Sequence, residues 1–317
     1  MEKKRLQGKV AIVTGAGRGM GRSHALLLAR EGAKVVVNDL GGEPVGRGAD
    51  TTVAGKVVAE IRAMGGEAVA NTDSVAVMEG AQRLVNTAVQ SFGRLDILIN
   101  NAGIFRVDEI DHMSEEDWDQ VVAVHLKGCF ATIKYATPIF KRQHGGVIVN
   151  IGSDSGLGHP TNSNYAAAKE GIVGLTRSLA RELGRFGIRC NAVRPRAQTG
   201  MAAAFNERSV KWIPLMEALG KFAIGFEMAD RWGEEYKPER VSAMVVWLCT
   251  DAAANINGRT MFAGGEEVGL FTEPELKRAM TRPGGWDLDS LDANRRRLSG
   301  DLTNDFLLKD SIGDKEL

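Results

Sequence analysis

Short apolar runs rich in β-branched residues alternate with helix-length amphipathic stretches over the first 265 residues. KVAIVTG leads to HALLLAREG, KVVVND to VAGKVVAEIRAMGG, EAVANTD to GAQRLVNTAVQSFG, and LDILINNAG follows. The pattern continues through WDQVVAVHLKGCFATIKYATPIF, GGVIVNIGS, the helix that carries Tyr165, IRCNAVRP and, after an interruption, RVSAMVVWLCTD and GRTMFAGG. Runs that are apolar at successive positions are strands covered on both faces, and strand–helix alternation builds βαβ units. Seven strands are predicted, in one doubly wound parallel α/β sheet with helices on both faces. No linker, compositional break or internal repeat interrupts residues 6–265, so residues 1–265 are expected to form one domain.

Two stretches depart from this rhythm. Residues 201–232, MAAAFNERSVKWIPLMEALGKFAIGFEMADRW, carry Met, Phe and Trp at helical spacing between the sixth and seventh strands. They read as a substrate lid or, equally, as an amphipathic helical pair closing the core. Residues 266–317 are polar and turn-rich, and are expected to be a C-terminal extension packed on the domain or on a neighbouring subunit.

Composition narrows the partners. Lys+Arg and Asp+Glu are both 40, so no net charge marks a nucleic-acid or anionic-membrane partner, and a small molecule is expected. Cys129, Cys190 and Cys249 are scattered, without a C-x-x-C pair, and read as buried thiols in a reducing compartment. His24, His112, His144 and His159 are equally scattered, so no metal site is expected. The opening MEKKRLQGKVAIVTG resembles neither a secretory signal nor a membrane span, and the closing DKEL has no signal peptide to accompany it. A cytoplasmic protein is the expectation.

The first strand ends in Thr14-Gly15-Ala16-Gly17-Arg18-Gly19-Met20-Gly21, directly before a helix. Glycines there let backbone N–H groups approach a pyrophosphate, and the helix N-terminus stabilises its charge. Asp39 follows 18 positions after Gly21, at the end of the next strand, as a dinucleotide site requires. A carboxylate there accepts from both ribose hydroxyls and repels a 2′-phosphate, which favours NAD over NADP. Arg18 and Arg22 argue the other way, since guanidinium groups near the turn could meet that phosphate.

Tyr165 and Lys169 stand four apart in NYAAAKEG and so share one helix face. Alone, such a pair is an ordinary solvated face. Together with the glycine turn, NNAG at Asn100–Gly103 and Ser153, it resembles the short-chain dehydrogenase/reductase family over residues 6–265. The resemblance implies a Rossmann-type fold, with Tyr165 as general acid/base, Lys169 beside it on the nicotinamide ribose, and Ser153 donating to the substrate oxygen. A free phenol near pKa ~10 needs a drop of about 3 units, worth roughly 4 kcal/mol, to serve at neutral pH. Lys169 and an oxidised nicotinamide would be the lowering charges.

The resemblance also implies cofactor contacts from Gly15, Gly17, Arg18, Gly19, Met20, Gly21, Asp39, Leu40, Asp73, Ser74, Asn101, Ala102, Gly103, Pro195 and Thr199. Asn101 and Asp73 would line the adenosine side, and Thr199 would meet the carboxamide. Three departures stand out. Ser153 lies 12 positions before Tyr165, one fewer than the family spacing, which makes Ser155 a rival. Arg196 replaces the glycine usual after that proline, leaving the turn open. His125, in VHLKG, replaces the family's fourth catalytic residue, an asparagine, and reads either as a satisfied core histidine or as a residue that keeps the helix bend.

VVVNDLGG, GGEAVANTDSV and VHLKG narrow the resemblance to the (3R)-hydroxyacyl-CoA dehydrogenase portion of the peroxisomal multifunctional enzyme type 2 group, here as a stand-alone relative. That implies an NAD-dependent oxidoreductase acting on a 3-hydroxyacyl-CoA or a similarly bulky hydrophobic alcohol. A steroid, terpenoid or other cyclic alcohol is the alternative substrate, and a non-catalytic NAD-binding scaffold the alternative class. The family likeness further implies a homodimer or homotetramer built through the helices that contain His125 and Tyr165.

Overall fold

A computed structural model describes residues 4–198, 212, 236–300 and 302. The first half of the sheet comprises β1 (Val10–Thr14), β2 (Lys34–Asn38), β3 (Ala68–Asn71) and β4 (Ile97–Asn100). They alternate with α1 (Gly19–Arg30), α2 (Thr52–Ala63) and α3 (Met78–Phe92). The second half adds α4 (Glu115–Val122), α5 (Gly128–Gln143), β5 (Gly146–Ile151), α6 (Ser163–Leu183), β6 (Ile188–Arg196), α7 (Pro238–Leu248) and β7 (Thr260–Gly264). The strand order is β3-β2-β1-β4-β5-β6-β7-β8, and all pairs are parallel except the last. The order reverses between β1 and β4, which opens a crevice at the carboxyl ends of the central strands.

Side-chain alternation explains the two layers. Ala11 and Val13 of β1 face the core shared with Leu28, Val57, Ile61 and Val245. Val10 and Ile12 face the other core, with Leu84, Ile133, Phe140 and Ile172. Both faces are therefore dry, and truncating a central residue such as Ile12 or Leu98 to alanine costs about 2–5 kcal/mol.

The seven expected strands are all present, and an eighth corrects the count: β8 (Glu267–Leu270), antiparallel to β7. Gly265, at φ +56°, turns the two-residue loop that joins them. Val268 and Leu270 are exposed, so β8 has no alternation of buried and exposed positions to betray it. Beyond it, Phe271 N–H donates to Thr260 O at 2.9 Å, and Glu273 pairs with Arg177 of α6 at 2.6 Å. Helix α8 (Leu288–Ser299) then starts on an Asp287–Ser290 capping box and buries none of its residues. The stretch 201–232 lies outside the described residues except Trp212, whose Nε1 donates to Glu109 Oε1 at 2.8 Å.

One contact between α1 and α7 carries a pH consequence. His24 is wholly buried with Nδ1 2.7 Å from Ser242 Oγ, and burial brings its pKa down to about 3. The unfolded chain takes up this proton near pH 6.5, whereas the folded protein refuses it until about 3. Stability from this group is complete above 6.5 and is lost as pH falls toward 3, by a few kcal/mol in all. Urea midpoints at pH 7.5 and pH 5 should differ in the parent and differ less in His24→Gln.

Candidate active site

The glycine turn and the NNAG segment prove to be one interlocked structure. Thr14 Oγ1 accepts from the N–H groups of Asn101 and Ala102 at 3.0 and 2.9 Å. Asn101 Nδ2 in return donates to Thr14 O and Gly15 O, both at 3.0 Å. Space forbids side chains here: a Cβ on Gly15 would stand 2.7 Å from Ala102 Cα, and one on Gly21 2.0 Å from Gly15 O. Helix α1 then begins without a side-chain cap and without an acid in its first turn, so its leading N–H groups face the cleft unclaimed. Gly19, at φ +51°, has open space where a Cβ would be. That is a cradle for a phosphate.

One cleft is lined by Gly15, Arg18, Gly19, Met20, Gly21, Asp39, Leu40, Asp73, Ser74, Asn101, Ala102, Gly103, His125, Tyr165, Lys169 and Pro195. Gly17 lies beneath it, where a Cβ would reach Asp39's carboxyl at 2.9 Å. Asp39 Oδ2 accepts from Gly17 N–H and Oδ1 from Gly41 N–H, each at 2.7 Å, leaving further lone pairs toward the cleft. Neither arginine weighed as a phosphate partner is idle. Arg22 forks onto Glu60, and Arg18 Nη1 reaches Gly42 O at 3.2 Å. Asp73 pairs with Arg83 at 2.7 Å.

The segment from Gly41 to Asp50 contributes Gly42, Glu43, Pro44 and Gly46 to the lining of the cleft. Pro44 O accepts from Phe105 N–H at 2.9 Å, and Val45 O from Arg106 Nε at 2.9 Å. It therefore joins the Asp39 end to the chain beside Tyr165.

At the other end, Tyr165 is 8% exposed, walled edge-on by Phe105 and His125, each with ring centroids 5.0 Å away. Lys169, 3% exposed, places Nζ 5.4 Å from the tyrosine ring centroid and donates to Ile151 O at 2.7 Å. Ser153 is buried at the end of β5, accepts from Ser155 N–H at 3.1 Å and hydrogen-bonds Tyr165; Ser155 is half-buried. This contact favours Ser153 over Ser155. Arg196, the residue in place of glycine, simply extends β6 and pairs with Gly264.

One half of the electrostatic expectation fails. Burial drives the Tyr165 phenol above its ordinary range, against a lowering hydrogen bond from Ser153 and a further rise from Asp154. Lys169 does not bring it down. Burial instead brings Lys169 itself down to about 8, and its ammonium is turned onto the Ile151 carbonyl.

His125 sits in a π-turn, Ala123–Lys127, that joins α4 to α5. It keeps the expected bend, as such turns do at many functional sites. Its Nε2 lies 2.7 Å from Ile104 O and 3.1 Å from Ile104 N. Burial and then the Lys169 charge hold it well below its ordinary pKa, so it stays neutral. A Cβ on Gly103 would come within 2.4 Å of His125 Cε1, which explains the last glycine of NNAG.

Thr199 lies outside the described residues. Asn101 lines the cleft but spends its amide on the glycine turn. Among the other histidines, His112 comes close to Glu109 and Asp111 rather than standing apart. Sequence reasoning missed Asn150, whose buried amide links Asn100 to Thr176 beneath the cleft; an asparagine inside VIVNI was its one signal.

A cleft with a phosphate cradle at one end and a Ser-Tyr-Lys cluster at the other defines a dinucleotide-dependent oxidoreductase. The family model for short chain dehydrogenase matches residues 9–209, and the chain belongs to that family. It is an oxidoreductase acting on CH–OH groups, interconverting alcohols and ketones, and the usual cofactor of the family is NAD or NADP. It is 42% identical over 255 residues to mouse peroxisomal multifunctional enzyme type 2, covering 80% of this chain and 31% of that enzyme. The chain thus spans about a third of that relative. It is 39% identical over 305 residues to hydroxyacyl-CoA dehydrogenase ChsB1 of Mycobacterium tuberculosis, covering 92% and 88% of the two. A crystal structure of a short chain dehydrogenase from Mycobacterium avium superposes with a TM-score of 0.77 at 37% identity, over 93% of this chain and 96% of that one.

Proposed function

We propose that this protein is an NAD-dependent dehydrogenase of a 3-hydroxyacyl-CoA or similarly bulky hydrophobic secondary alcohol. The observation that carries the reading is the single cleft joining Asp39 and the glycine cradle to the buried Ser153-Tyr165-Lys169 cluster. When bound, the nicotinamide supplies the hydride-accepting carbon and, in its oxidised form, the positive charge that the protein groups alone do not bring to Tyr165. Tyr165 would take the alcohol proton, Ser153 would donate a hydrogen bond to the substrate oxygen, and Lys169, seated on Ile151 O, would hold the ribose hydroxyls.

NAD rather than NADP is supported by Asp39 and by the engagement of Arg18 and Arg22 elsewhere. Asp39→Ala should raise KM for NAD about tenfold and shrink the preference over NADP, read as the ratio of kcat/KM values; an unchanged ratio counts against the assignment. The acyl-CoA substrate draws on the named relatives. Steady-state rates with 3R and 3S hydroxyacyl-CoA thioesters of increasing chain length, beside steroid and terpenoid alcohols, test it. Turnover confined to the cyclic alcohols would overturn the substrate class, and cofactor binding with no turnover at all the enzymatic reading. A homodimer or homotetramer is part of the proposal, supported by exposed Trp118 on α4 and Phe130 on α5. No helix among the described residues is long and apolar enough to cross a membrane.

A further inference from the structure

Arg194, in the middle of NAVRPR on β6, is 3% exposed, an unusual place for a guanidinium without partners. Its partners lie on the two elements that carry the reacting side chains. Nη1 donates to the carbonyl of Ser153 at the end of β5, and Nη2 to Glu170 Oε2 at 2.6 Å, next to Lys169 on α6. Gly156 makes room for this fork, since a Cβ there would stand 2.9 Å from both Arg194 Nη1 and Glu170 Oε2. The outer face of the guanidinium lies against Phe271, the first residue after β8, at 5.3 Å. Two positions further along β6, Arg196 pairs with Asp154 at 3.2 Å, so the strand grips two successive residues of the serine loop.

We infer that Arg194 is a positioning residue that sets Ser153 against Tyr165, and that Phe271 of the C-terminal extension holds it in register. The inference rests on the proposed roles of Ser153 and Tyr165. A planar five-donor fork fixes distance and direction between two partners as an ammonium on a flexible stem cannot. Here the partners belong to the strand end that presents Ser153 and to the helix that presents Tyr165, so the fork sets the gap between the hydroxyl and the phenol. The extension acts through the same residue, because Phe271 covers the guanidinium while Glu273 clamps Arg177 two turns further along α6.

The test compares Arg194→Met, Arg194→Lys, Phe271→Ala and Ser153→Ala by steady-state kinetics and by NADH binding. Arg194→Met should lower kcat about ten- to a hundredfold, the scale of an ångström-sized misplacement, with NADH affinity unchanged. Arg194→Lys should recover part of the loss, and Phe271→Ala should show a smaller loss of the same kind. In the Ser153→Ala background, Arg194→Met should add little, because the group it positions is gone. Additive losses, or a kcat equal to the parent, would overturn the inference. A protein that turns over no alcohol at all would defeat the functional reading instead. The positioning role is then judged from crystal structures of the parent and Arg194→Met: a serine loop that moves away from Tyr165 supports it, and one that superposes sinks it.

Discussion

Tyr165→Phe is expected to lower kcat by about a hundred- to ten-thousandfold while leaving the dissociation constant for NADH within twofold of the parent. Among the described residues the phenol is the one cleft group both held by Ser153 and close to a buried ammonium, so none of them is placed to take the proton instead. His125 touches the ring but is kept neutral by burial and by the Lys169 charge, and its Nε2 is committed to Ile104. The hydroxyl bonds Ser153, itself part of the site, and the ring packing against Phe105 survives the substitution. Single-turnover rates separate this from a binding defect. A modest loss, under about fivefold, would remove Tyr165 from the proton path.

Gly21→Ala is expected to weaken NADH binding by more than a hundredfold, about 2.7 kcal/mol. The added methyl would stand 2.0 Å from Gly15 O and 2.6 Å from Asn101 Nδ2. Neither neighbour can yield alone, because Asn101 is bonded to the same turn and Thr14 holds the backbone of Asn101 and Ala102. The turn must open, and the cradle opens with it. Gly55→Ala on α2 is the control: its methyl meets nothing within 4 Å, and helix propensity alone should make it neutral or stabilising by up to about 1 kcal/mol. Titration calorimetry with circular dichroism on both variants distinguishes loss of binding from loss of fold. Equal affinities in the two would refute the crowding argument.

The central sheet was legible because parallel strands buried on both faces leave unbroken apolar runs such as VAIV and VVVN. β8 was not, since an edge strand with Val268 and Leu270 in the open obeys no burial pattern. In the cleft, Tyr165, Lys169, Ser153 and Asp39 were readable from residue type and spacing. What escaped was who holds whom. The resemblance puts Asn101 beside the adenosine, yet its amide serves two carbonyls of the turn, a long-range closure that linear spacing does not encode. The expected acidity of the phenol rests on Lys169 and the oxidised nicotinamide together, but in the protein alone burial, a property of the folded environment, dominates both side chains. Arg196 reads from sequence only as a departure from an expected glycine, and Arg194 carries no signal at all, until the fold sets them across from Asp154 and Ser153.

The segment from Gly41 to Asp50 ties the two ends of the cleft together. It starts just past Asp39 and is latched to Phe105 and Arg106, and Phe105 is a wall of the tyrosine's own compartment. A substitution that loosens Pro44 or Val45 is therefore expected to be felt at both the nucleotide-selecting carboxylate and the phenol.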